Sequence, residues 1–208
     1  MRRPVLLLAA VIVASGLASL AVLAAQASAR AQDATFEASR VRGADEILGP
    51  PRYSKARVER YARSVNCSRY IMRTIPIYYR MAPRRNIAPD VLVAQAILET
   101  GRGYYRGDSR PWNMAGIKKG GAVGDAPRHF EVPKTARAGV RMHVNHVAAY
   151  TGKRPIGRPH DRYYDARAAQ KARGWWVRRV SHLGNGVWAT DPDYSGKIRR
   201  ILDAMGRR

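Results

Sequence analysis

The chain has 208 residues and carries 38 lysines and arginines against 15 aspartates and glutamates, a formal charge of +23. That length holds one ordinary domain plus a leader, is enough to bury a core without covalent staples, and excludes disorder as the main state. The excess charge is spread along the chain and favours an anionic polymer as partner.

The N-terminus decides which polymer. Arg2 and Arg3 precede an apolar stretch from Val5 to Ala25, and Ala27-Ser28-Ala29 has the small-x-small pattern of a leader-peptidase site. Residues 1–29 therefore read as a signal peptide. An uncleaved N-terminal anchor is the alternative, because the stretch is close to the ~20 residues that span a bilayer. Either way the remainder is expected outside the cytoplasm, secreted or held at the cell wall or periplasm. That sets nucleic acid aside and leaves cell-wall polymers and lipid head groups as the available anionic partners. The lone Cys67 cannot form an internal disulfide and reads as a small buried thiol on a helix.

Residues 30–52 mix Ala, Arg, Gln, Asp and Gly, close on Gly49-Pro50-Pro51, and read as a flexible linker. The domain proper is expected over 53–208. Ser54 can cap a helix carrying Val58, Tyr61, Ala62 and Val65, and a second helix is predicted over 70–81, started or kinked by Pro76. Pro89 suits a first helical turn, Val91 to Leu98 are apolar apart from Gln95, and Gly101 ends the segment, which marks a central helix. From Asn113 to Phe130 the chain is Gly-rich and fits a small hairpin or irregular lobe. A helix over 135–150 follows with Val140, Val144 and Val147 on one face, then a short helical piece over 166–173. The last helix has Thr190 or Asp191 as cap, Pro192 in its first turn, and a stripe of Ile198, Ile201, Leu202 and Met205. The fold class is mainly α, with one small β-like insertion.

Glu99 closes the apolar helix just before Thr100-Gly101-Arg102-Gly103. Lost solvation and the negative end of the helix dipole both favour its protonated form, which is what a general acid needs at neutral pH. Arg102 and Arg106 oppose this if they turn towards it. His143 and His146 lie three apart on one helix, a spacing that can hold a metal, but no HExxH, CxxC or third ligand accompanies them, and they read as helix-face histidines. Nor is there a nucleotide loop, since Lys118-Lys119-Gly120-Gly121-Ala122-Val123-Gly124 lacks the lysine and hydroxyl that should follow it.

Three stretches in order carry a resemblance: "VAQAILETGRG" ending at Gly103, "WNMAGIK" over 112–118, and "WATDPDYSGKI" over 188–198. With "AGVRMHVNHVAAY" between the last two, they resemble the bacterial glucosaminidase family of peptidoglycan-cleaving endo-β-N-acetylglucosaminidases, grouped as glycoside hydrolase family 73. The likeness covers roughly residues 70–205. It implies a lysozyme-like helical domain that cuts the β-1,4 bond after N-acetylglucosamine in peptidoglycan, with Glu99 as the catalytic acid. It further implies Tyr194 near the reaction centre, Asp191 before its proline, and a wall of the sugar groove at Asn113, Gly116, Ile117 and Lys118. Asp191 is also an obvious helix cap, and Tyr194 could merely pack a first turn.

Glycoside hydrolysis usually takes two acidic groups. The lobe offers Asp125 and Glu131, of which Glu131 is better placed, and the substrate's own acetamido oxygen could serve instead. Aromatic faces suit the CH face of a sugar. Trp112 is the preferred platform, ahead of Trp188, Trp175, Trp176, Tyr104 and Tyr105, and Trp175-Trp176 is expected to split into one core and one surface ring. No cofactor and no metal are needed, and a monomer is expected. Two other readings stay open: a lytic transglycosylase, which leaves an anhydro sugar where hydrolysis leaves a reducing one, and a non-catalytic cationic module that holds wall polymers.

Overall fold

Serines start the first two helices of the computed structural model, which describes residues 26–27, 45–105 and 110–207. Ser54 caps α1 (Lys55–Ser64) by accepting from the Arg57 N–H, and Ser68 caps α2 (Arg69–Met81) by accepting from Tyr70. Pro76 lies inside α2, which runs through it and does not start there. The serine cap already fixes the start, and one lost backbone bond is offset by a buried face of Ile71, Thr74, Ile75, Tyr78 and Met81. Cys67 sits in the connection between α1 and α2, not on a helix, and is half-buried and free. Burial pushes its thiol up to about 11.

The central helix α3 (Pro89–Glu99) has Pro89 in its first turn, and every residue from Pro89 to Ile97 is buried. It packs against α2 on one side and α6 (Tyr194–Gly206) on the other, while α2 also meets α4 (Ala136–Tyr150) and α4 meets α5 (Arg162–Ala172). Helices so enclosed need apolar residues all round, which is why this segment lacks an amphipathic pattern. Residues 45–207 thus hold six α-helices, a mainly helical domain consistent with a lysozyme-like architecture.

The predicted helices fall close to their expected spans. Thr135 caps α4 through the Ala138 N–H at 3.1 Å, and α5 starts at Arg162, four positions earlier than its apolar pattern suggested. At α6 the expectation needs correcting. Neither Thr190 nor Asp191 is its cap, because Asp191-Pro192-Asp193 first makes a turn in which Asp191 Oδ1 accepts from the Asp193 N–H at 2.9 Å, and the helix begins at Tyr194. Pro192 belongs to that turn.

The lobe is held by a single antiparallel bridge, Lys118 to Phe130, with the Lys119 N–H on His129 O at 2.8 Å and the Glu131 N–H on Ile117 O at 2.9 Å. No longer ladder forms among the described residues, because three glycines and the 3₁₀ turn Pro127–His129 take the chain out of register.

The linker expectation fails over its last residues. Ile47 is 1% exposed, Leu48 bridges Ile87, and Glu46 bridges Arg179. Asp90, fully buried near the start of α3, accepts from the N–H groups of Arg52 at 2.8 Å, Tyr53 at 3.2 Å and Val91 at 3.1 Å. Residues 45–52 are thereby part of the folded body, tied to the helix that carries Glu99. Apart from 26–27, residues 1–44 lie outside those described, and so do the leader and most of the expected linker. No helix among the described residues is long and apolar enough to cross a membrane.

Candidate active site

Glu99 stands where α3 unwinds. Thr100 folds back on the helix, its hydroxyl donating to Ala96 O at 2.6 Å and accepting from the Gly103 N–H at 2.8 Å. Gly101, Arg102 and Gly103 then take left-handed backbone, φ +54°, +63° and +81°, which turns the chain away and leaves Glu99 at the lip of the core. Arg102 does not turn towards it, since its guanidinium donates to Val65 O at 3.1 Å. Arg106 lies outside the described residues.

One carboxyl oxygen of Glu99 is saturated and the other is not. Oε1 accepts from the Tyr194 hydroxyl and from Trp188 Nε1 at 3.1 Å. On the Oε2 side stands Gly116, where a Cβ would lie 3.7 Å from that oxygen. Burial pushes the Glu99 carboxyl above its ordinary value, and the bonds from Tyr194 and Trp188 pull in the opposite direction. Tyr194 is itself held well above the usual tyrosine range by burial and by Glu99. Behind it, Gln95 Nε2 donates to Tyr194 Oη at 2.9 Å, Gln95 Oε1 meets His143 Nε2 at 3.1 Å, and His143 Nδ1 meets Tyr78 Oη at 2.7 Å. A desolvated carboxyl with one free oxygen can give a proton to a group arriving at that oxygen.

The residues expected around Glu99 separate into those that reach it and those that frame it. Tyr194 and Trp188 bond to it directly, and Gly116 stands on its Oε2 side. The Trp188 ring packs on His146 and Tyr150 of α4, with centroids 5.0 and 5.1 Å away. Asn113 is 1% exposed, and its side chain is committed to backbone: Nδ2 donates to Ile117 O at 2.9 Å and Glu131 O at 3.0 Å, and Oδ1 accepts from the Ile117 N–H at 2.9 Å. It staples the loop bearing Gly116 to the strand-like segment bearing Glu131. Ile117 is buried with Ala115 and Met142, against Trp188. Lys118 pairs with Asp125 at 2.8 Å and lies over the Phe130 ring.

Glu131 is half-buried, and burial is the main force pushing its carboxyl up, with Lys119 opposing and Asp161 assisting. Asp191 faces Lys197 at 2.5 Å, and its carbonyl accepts from the Tyr194 N–H at 3.2 Å, so it anchors the turn that delivers Tyr194. Trp112 is half-buried, edge-on to Tyr70 at 4.7 Å, with its N–H on Tyr105 Oη at 3.1 Å. Gly139 of α4 backs onto the Trp112 carbonyl so closely that any Cβ there would overlap it. Of the tryptophan pair, Trp175 is 40% exposed and Trp176 half-buried beneath the Arg167 guanidinium.

Gln95, His143 and Tyr78 were not singled out from sequence as parts of the site. Gln95 is the one polar residue in the run from Val91 to Leu98, a signal that it has a buried partner. Both ring nitrogens of His143 are engaged, while His146 Nδ1 meets His160 Nε2 at 3.2 Å. No group of three or more His, Cys, Asp or Glu that could hold a metal occurs among the described residues.

The glucosaminidase family profile, described as mannosyl-glycoprotein endo-beta-N-acetylglucosaminidase, matches residues 75–207. No curated protein and no solved structure matches the chain. The matched span is more than half of the chain and takes in Gln95, Glu99, the Trp112–Lys118 loop and Tyr194 together. The chain therefore belongs to the glucosaminidase family and is a glycoside hydrolase of the endo-β-N-acetylglucosaminidase kind.

Proposed function

We propose that the protein is an exported hydrolase that cuts the β-1,4 bond after N-acetylglucosamine in peptidoglycan, with Glu99 as the general acid. The observation that carries this reading is the Glu99 carboxyl, desolvated at the end of α3, bonded through Oε1 and open through Oε2 beside Gly116. Oε2–H donates to the glycosidic oxygen as the C1–O bond lengthens, so that oxygen leaves as a hydroxyl, and water supplies the oxygen that ends on C1 while its released proton passes to a carboxylate. Glu99 is left ionised, with Tyr194 and Trp188 stabilising the charge it has gained.

Glu131 supplies the second carboxylate. It is half-buried, and Asn113 and Ile117 hold its backbone to the loop that faces Glu99. Should Glu131 not serve, the substrate's acetamido oxygen assists at C1, one of the recognised exceptions to the two-carboxylate scheme. Asp125 is already paired with Lys118. Trp112 and the Gly116–Lys118 segment line the sugar groove, and Trp188 borders it while bonded to Glu99. Asp191 acts through Tyr194.

Export rests on Arg2, Arg3, the apolar run and Ala27-Ser28-Ala29, and a charge of +23 suits an enzyme working among anionic wall polymers. The experiment is digestion of purified peptidoglycan by the full chain and by Glu99→Gln, followed by mass analysis of the released ends. Reducing N-acetylglucosamine ends from the wild type alone support the proposal. Anhydro ends would make it a transglycosylase, and equal release by both proteins, or none by either, would refute the role of Glu99.

A further inference from the structure

Tyr78 on α2, His143 on α4, Gln95 on α3 and Tyr194 on α6 form one continuous hydrogen-bonded chain that ends on Glu99. Tyr78 and His143 are completely closed to solvent, and Gln95 is 1% exposed. The direction of the chain follows from what each group can do. Gln95 Nε2 only donates, so Tyr194 Oη accepts there and sends its own proton to Glu99 Oε1. Gln95 Oε1 only accepts, so His143 carries its proton on Nε2, and its bare Nδ1 takes the Tyr78 hydroxyl. Burial keeps His143 neutral by pushing its value down to about 3, so the ring keeps one donor nitrogen and one acceptor nitrogen across the working range.

We infer that Tyr78, His143 and Gln95 are positioning residues for the catalytic carboxyl, aiming every donor of the chain at Glu99 Oε1 and leaving Oε2, the oxygen beside Gly116, to carry the proton. This rests on the reading of Glu99 as the acid. A proton on Oε1 would point into those of Tyr194 and Trp188, so it is excluded from that oxygen. The reverse chain, with the Gln95 amide turned over, would send the Tyr194 proton to Gln95 and require Glu99 to direct its own proton inward, where no substrate arrives. Successive links also polarise one another, strengthening the last bond by about 10–30% each.

The titratable groups that face Glu99 leave the chain in control. Tyr194 approaches from α6, and behind Trp188 lie Tyr150 and His146 of α4. Burial holds both tyrosines above their ordinary value and His146 well below its own, so all three are uncharged near neutrality. His160, beyond His146, is likewise pushed down to about 4.

The test measures kcat, KM and the pH dependence of kcat/KM for the full chain on soluble peptidoglycan fragments, together with Tm, in Gln95→Met, Tyr78→Phe and Glu99→Gln. Gln95→Met keeps the length of the side chain and removes the donor behind Tyr194. A bond to an ionised acceptor moves a carboxyl by about one to two pH units, and the preceding link contributes about 10–30% of that, so its basic limb should rise by about 0.1–0.6 unit. Its kcat should fall about tenfold with KM unchanged, and Tyr78→Phe should act in the same direction more weakly. If Gln95→Met does not fold, the single-atom Tyr78→Phe decides alone. A lower Tm with wild-type kcat and an unmoved basic limb would overturn the inference, and a limb moving to lower pH would establish the reverse chain. An inactive Glu99→Gln beside such variants would sink the inference alone, whereas an active Glu99→Gln would remove the acid itself.

Discussion

Gly116→Ala is the substitution that probes the open side of Glu99. Gly116 has φ +58°, and a methyl there would lie 3.7 Å from Glu99 Oε2. Two separable effects follow. Left-handed backbone costs a non-glycine residue about 1–2 kcal/mol, which at ~2–4 °C per kcal/mol for a domain of this size lowers Tm by roughly 2–8 °C. The methyl would be in ordinary contact with Oε2 and would occupy the side from which, under the proposed mechanism, a glycosidic oxygen comes within hydrogen-bond reach, about 2.6–3.2 Å. Displacing that oxygen by about 1 Å costs on the order of 100-fold in rate. The assay is reducing-end release from peptidoglycan at a temperature below both melting transitions, with Tm from the same preparations. A variant with lowered Tm but wild-type kcat/KM would show that nothing needs to approach Oε2 past Gly116, and the assignment of Oε2 as the proton-bearing oxygen would fall.

Asp90→Ala tests the anchor of the helix that carries Glu99: it removes the carboxylate that accepts three backbone N–H bonds worth about 1 kcal/mol each, so Tm should fall by roughly 6–12 °C while kcat well below Tm stays near wild type. Asn113→Ala removes two bonds to Ile117 within the loop and one that ties it to Glu131 O, and should lower Tm and raise KM more than it lowers kcat; an unchanged KM would mean that the loop keeps its shape without the staple. Glu99→Gln should melt higher than wild type at neutral pH. The wild-type carboxyl, pushed up in the folded state, contributes its full stability below the ordinary glutamate value of 4.5 and loses it as pH rises through its raised value, whereas Gln does not titrate. The advantage should therefore vanish in acid, and a variant less stable than wild type at neutral pH would contradict the desolvation argument. Two desolvated histidines act with opposite sign: buried His143 and half-buried His160, pushed down to about 3 and about 4, support the fold above the ordinary histidine value of 6.5 and cost it stability as pH falls below, so both proteins should lose Tm in acid.

Much of this site was legible because its signals are local. A run from Val91 to Leu98 that is apolar apart from Gln95 and ends on a carboxylate before a glycine-rich turn marks Glu99, and a serine cap marks the start of α1. What the sequence hid depends on partners far along the chain. Gln95 meets Tyr194 at a separation of 99 residues and His143 at 48, so its role cannot be read from neighbours. Residues 45–52 look like a tether by composition, yet Ile47 and Leu48 are enough to seat them once Asp90 supplies acceptors for the backbone that follows. At α6, Asp191, Pro192 and Asp193 are all good helix starters, and competition among them put the first helical residue at Tyr194. That delay brings the tyrosine hydroxyl to Glu99.

The central claim is that the Glu99 proton breaks the glycosidic bond. It is tested most directly by the rate at which Glu99→Gln releases reducing N-acetylglucosamine ends from peptidoglycan, with Tm showing the fold intact. The account predicts a loss of at least about 100-fold, the low end of what a positioned general acid contributes, and a release rate within a few fold of wild type would contradict it.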